Sequence, residues 1–111
     1  MSGEMWAKVI GIVLLIGGIL GFFMQPLFGF LSMNTLHAVV WVVVGAIYAW
    51  AGFAGGPVNA VNKWLGVILI LVGLLGFTNI LSFLALGPGA MANNIVHLVV
   101  GAISAWLGWK S

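Results

Sequence analysis

Apolar residues in this chain do not alternate with polar ones at a strand or helix period; they run together in four long blocks. The first runs from Trp6 to Met24, with Lys8 near its start. The second runs from Asn34 to Phe53, the third over residues 63–81, and the fourth from Asn93 to Trp109. A hydrocarbon core ~30 Å thick needs roughly 20 helical residues, so each block predicts a membrane-spanning helix, the fourth a short one. Gly55-Gly56-Pro57 closes the second block, and Asn59 to Asn62 read as a polar turn. Gly87-Pro88-Gly89 breaks the chain before the fourth block. The connectors Pro26 to Met33 and Leu81 to Leu86 are themselves apolar and are expected in the interfacial layer as short helices or turns.

The blocks repeat in pairs. Lys8, Gly11, Gly18, Gly21 and Phe22 recur as Lys63, Gly66, Gly73, Gly76 and Phe77, an offset of 55 (63 − 8) throughout. An internal copy cannot be a signal peptide, and no small-residue cleavage pattern follows the first block, so that block is read as a span. Asn34-x-x-His37 and Gly45-Ala46-Ile47-Tyr48-Ala49-Trp50-Ala51-Gly52 find partners in Asn94-x-x-His97 and Gly101-Ala102-Ile103-Ser104-Ala105-Trp106-Leu107-Gly108. Aligning the two histidines leaves the second block one helical turn longer, with Trp41 in the extra turn. The fold expected is an all-α membrane protein. It is a four-helix bundle of two tandem hairpins (residues 5–55 and 60–111), related by a pseudo-two-fold axis along the membrane normal.

Composition agrees. Of 111 residues, 64% are hydrophobic and 4% charged, against about 25% charged in an average globular domain. One acid and three basic residues cannot cover a water-soluble fold, so the partner expected first is the lipid bilayer. A net charge of +2 gives no reason to expect nucleic acid. With no cysteine, thiolate metal sites and disulfides are excluded. Lys8, Lys63 and Lys110 fall on one side of a four-span topology, which puts both termini in the cytoplasm. Trp6, Trp50, Trp64, Trp106 and Trp109 are expected there as an aromatic belt, with Trp41 toward the other side.

Helices in lipid associate through close packing and a few hydrogen bonds. Small residues predict the seams: Gly11, Gly18 and Gly21 on the first helix, and Gly45, Ala49 and Gly52 on the second. Gly66, Gly73 and Gly76 follow on the third, and Gly101, Ala105 and Gly108 on the fourth. The plain reading is contact within the bundle; the sharper one is a homo-oligomer face. Asn34, His37, Asn93, Asn94 and His97 form the polar group. The asparagines are candidate helix caps, and the histidines are candidate interhelical hydrogen bonders.

Intramembrane polar residues are also functional candidates. His37 and His97 at equal depth would suit the axial positions of one haem or other tetrapyrrole, although that side offers no cation for propionates. A path for protons or small neutral solutes would have only Tyr48 and Ser104 at mid-depth. Two histidines without an acid cannot fill a zinc site, so no metal is expected, and no catalytic motif rises above background, so no catalytic residue is expected.

Gly18-Ile19-Leu20-Gly21-Phe22, Gly73-Leu74-Leu75-Gly76-Phe77, Asn34-Thr35-Leu36-His37 and Asn94-Ile95-Val96-His97-Leu98-Val99-Val100-Gly101 form a double pattern spread over nearly the whole chain. The pattern resembles a bacterial family of small four-span membrane proteins, domain of unknown function 4383. This chain departs from it at Trp41, where the first half would carry glycine, and in its short connectors. The resemblance implies a four-span fold in a bacterial inner membrane and implies no activity. The function expected is therefore a non-enzymatic accessory or interaction subunit that packs against other membrane proteins. Haem or pigment binding for electron transfer comes second, and a minimal channel third.

Overall fold

The computed structural model describes residues 2–25, 33–82 and 90–110. The described residues form four α-helices: α1 (Gly3–Gly21), α2 (Thr35–Phe53), α3 (Val58–Leu75) and α4 (Met91–Trp109). Each is long and apolar enough to cross a membrane. Nineteen residues at about 1.5 Å each reach about 28 Å, close to the hydrocarbon thickness. Large side chains such as Ile12, Ile16, Ile19, Val43, Leu71 and Val99 are exposed along these helices, so the helices are apolar on their outer as well as their inner faces, as membrane spans are.

Three helix starts differ from the expectation. α1 begins at Gly3 because Ser2 caps it, its hydroxyl accepting the Met5 N–H at 3.1 Å. Glu4 in that first turn pairs with Lys8 one turn on, at 3.2 Å. α3 begins at Val58, directly after Pro57, and ends at Leu75, where residues 63–81 were expected. Asn59 to Asn62 are thus helical, since proline favours the residue just before or at a helix start. The chain reverses between α2 and α3 on Gly55, whose φ of 74° suits glycine. α4 begins at Met91 and has 19 residues, the same as α2. Counting from Thr35 and Met91, Gly45 and Gly101 are both eleventh in their helices. The extra turn inferred for α2 does not exist: His37 is third in α2, while His97 is seventh in α4 and shares that place with Trp41. The expectations for residues 26–32 and 83–89 lie outside the described residues.

α1 packs on α2 and α3 on α4 through the small residues. A Cβ added at Gly11 would lie 2.6 Å from the Ala49 backbone N, and one at Gly66 would collide with the Ala105 backbone. One at Gly18 would meet the Ala38 carbonyl at 3.0 Å, and one at Gly73 the Leu98 N at 3.0 Å. Gly45 faces Leu15, Gly101 faces Ile70, Gly52 faces Lys8 and Gly108 faces Lys63. Backbones this close leave no room for a side chain, so these contacts rest on glycine.

The main core cluster lies near the lysine-bearing end and contains Trp6, Ala7, Ile10, Tyr48 and Leu107. Trp6 is 8% exposed, so it is a core residue and not part of the belt. The exposed indoles are Trp50, Trp64, Trp106 and Trp109. Lys63 lies 5.1 Å and 5.0 Å from the ring centres of Trp64 and Trp109, and Lys110 lies 4.5 Å from that of Trp106. Lysine and tryptophan thus share one end of the bundle.

Candidate functional site

Among the described residues, buried polar side chains gather toward the two ends of the bundle, and a cleft lies between them. The first group is built at the start of α2. Asn34 is the N-cap, its Oδ1 accepting the His37 N–H at 2.8 Å. One turn further, the Trp41 indole N–H donates to His37 Nε2 at 3.0 Å, with the two rings edge to face at 84°. An indole can only donate, so Nε2 is the acceptor nitrogen and the proton of a neutral His37 sits on Nδ1. Aligning the two histidines hides this bond, because it puts Trp41 in an inserted turn. The signal was its spacing of four residues from His37, one helical turn.

His97 comes from α4, and its ring centre lies 5.8 Å from that of His37, tilted by 41°. The structure therefore brings the two histidines together, although they sit at different turns of their helices. His97 is 6% exposed, and its Nδ1 has no hydrogen-bond partner among the described residues.

Asn93 and Asn94 are the third and fourth residues of α4 and do not cap it. Ala90 holds the N-cap position and makes no side-chain bond. Both asparagines are buried. Asn94 Nδ2 donates to the Gly76 carbonyl at 3.1 Å, satisfying one of the free carbonyls at the end of α3. In the other hairpin the Gly21 carbonyl is met instead by Gln25 Nε2 at 2.8 Å.

The second polar group lies toward the lysine end. The hydroxyls of Tyr48 and Ser104 are 2.7 Å apart, and Ser104 Oγ donates to the Asn62 carbonyl at 2.8 Å. Asn62 Nδ2 donates to the Gly3 carbonyl at 2.9 Å. Tyr48, Ser104 and Asn62 are fully buried. This chain of bonds joins all four helices. Its Asn62 link escaped the sequence reading because a helix start was read as a turn.

Between the groups lies a cleft of about 780 Å³, counting its open part, walled by residues of all four helices. Among the described residues its polar lining is His37, His97 and the indole of Trp41. The remainder is aliphatic, including Leu14, Val44, Leu69, Val72, Val96 and Val100. Leu14, Val44, Leu69 and Val100 also pack on the Tyr48 cluster, which forms the floor. Val13, Val40 and Ile68 line the cleft and are 51%, 38% and 51% exposed, so it opens sideways between helices.

This geometry suits a neutral, largely apolar guest, because a lining without charge cannot offset the desolvation of an ion. It fits haem less well. The lone pair of His37 Nε2 is engaged by Trp41, and the lysines that would meet propionates are at the other end. No protein-family model, no curated protein and no solved structure matches the chain.

Proposed function

We propose that this chain is a non-enzymatic integral membrane protein that holds a lipid-soluble molecule in the cleft between its two hairpins. The observation that carries the reading is a laterally open apolar cleft with a buried imidazole, His97, on its wall. Pockets between the helices of a bundle are common ligand sites, and a few placed polar groups in an apolar wall set the orientation of a guest. The accessory role expected from the sequence becomes narrower: the chain offers a cleft as well as apolar faces. A channel along the bundle axis would have to part Tyr48 from Ser104.

In this reading the hairpins are related by a pseudo-two-fold axis along the membrane normal. The matched contacts of Gly11 with Ala49 and Gly66 with Ala105 support it. The lysine end faces the cytoplasm by the positive-inside rule, and the resemblance noted above favours a bacterial inner membrane.

Native mass spectrometry of protein released from its own membrane tests the cleft. The wild type should carry a small-molecule adduct, and Val72→Trp, which fills the cleft, should lose it while still folding. Identical spectra for the two would remove the proposal.

A further inference from the structure

Resting on the cleft reading, we propose that the guest is a quinone or quinol with an isoprenoid or alkyl tail, its ring held beside Trp41 and His37 and a ring oxygen hydrogen-bonded to His97.

Three observations select this chemistry. First, the cleft lining holds no charged side chain among the described residues. A phosphate headgroup or a fatty carboxylate would lose its hydration there without a counter-charge. Second, His97 is buried, and its Nδ1 meets no protein group among the described residues. A neutral imidazole carries one donor and one acceptor nitrogen, so it can serve a quinone carbonyl and a quinol hydroxyl alike. His97 lines the cleft, so a guest oxygen bonded to the edge of its ring gains, in a dry surround, a bond that no described protein group supplies.

Third, the polar wall is made of flat rings. His37 stands edge to face with Trp41, and the His37 and His97 rings are 5.8 Å apart. Planar guests gain from offset or edge contacts with such rings, which a plain alkyl chain does not make. The sideways opening at Val13, Val40 and Ile68 gives a tail its exit into the bilayer. His37 contributes its ring rather than its Nε2, which Trp41 already occupies.

The test uses the full chain in phosphatidylcholine nanodiscs free of quinone, titrated calorimetrically with decyl-benzoquinone and, separately, with decanol. Empty nanodiscs supply the partition background. Wild type should show saturable binding of the quinone well above that of decanol. His97→Leu should weaken it roughly tenfold, the loss expected for one buried hydrogen bond. His97→Gln, which keeps a donor and an acceptor, should recover most of the affinity, and Val72→Trp should abolish saturable binding. Equal affinity for quinone and decanol, or an unchanged affinity in a folded His97→Leu, overturns the inference. So does a wild type that keeps its native adduct but binds no decyl-benzoquinone. These outcomes leave the cleft standing, which falls only if Val72→Trp retains the adduct. Should His97→Leu fail to fold, the quinone-to-decanol comparison in the wild type decides.

Discussion

Tyr48 and Ser104 touch hydroxyl to hydroxyl at 2.7 Å, and each is the fourteenth residue of its helix, counted from Thr35 and Met91. The hydrogen of Ser104 is committed to the Asn62 carbonyl, so Tyr48 is the donor to Ser104.

This direction of donation ranks two substitutions. Tyr48→Phe removes one bond and leaves Ser104 bonded to Asn62. Ser104→Ala removes both bonds and strands the Tyr48 hydroxyl in a dry core. Tyr48→Phe should cost about 0.6 kcal/mol, the average for interhelical bonds in membranes, and Ser104→Ala about 1–3 kcal/mol. Equilibrium unfolding in mixed detergent micelles measures both. A larger loss for Tyr48→Phe would reverse the assignment of donor and acceptor.

Gly73 and Leu74 are neighbours with opposite surroundings. A Cβ at Gly73 would lie 2.7 Å from Leu98 Cγ, whereas Leu74 is 54% exposed. Gly73→Leu should separate α3 from α4 and cost roughly 1–3 kcal/mol by overpacking. Leu74→Ile should be nearly silent in the same unfolding assay. Equal tolerance at the two sites would place the glycine against lipid.

Gly76 and Asn94 are coupled. A methyl at Gly76 would fall on the Asn94 side chain, which is itself held by its bond to the Gly76 carbonyl. Between α1 and α2, by contrast, a Cβ added at Gly21 would lie 3.2 Å from the Ala38 Cβ. Gly76→Ala should therefore destabilise, and adding Asn94→Ala should recover part of the loss. A coupling energy of about 0.5–3 kcal/mol is the range for side chains in contact. Strict additivity in a double-mutant cycle would deny the contact.

Topology is open to cysteine labelling, since the chain has no native cysteine. With four spans, Gly55→Cys and Lys110→Cys should label from one face of the membrane. Gln25→Cys and Asn79→Cys should label from the other. Labelling of Gly55→Cys and Gln25→Cys from the same face would mean that α2 does not cross.

Much of the architecture was legible in the sequence for a simple reason. A helix in lipid must be long, apolar and internally bonded, so the bilayer writes its thickness into the composition of each block. Small residues mark where backbones approach, because in lipid little else can drive that contact. These two constraints are local, and they suffice for four helices with glycine seams.

Relations that depend on register across helices were decided only by the tertiary structure. Matching His37 to His97 by type produced an inserted turn; packing instead sets His97 at the place of Trp41 and Asn93 at the place of His37. In the sequence alone the asparagines of α4 are candidate caps, because capping is a common local use of asparagine. Asn94 in fact serves a carbonyl of α3 eighteen residues away in sequence. Asn62 reads as turn chemistry in isolation, yet its burial against α1 and α4 makes it a link between helices. The cleft has no sequence signature at all. Its walls are valines and leucines like those facing lipid, and only the spacing of the two hairpins leaves it unfilled.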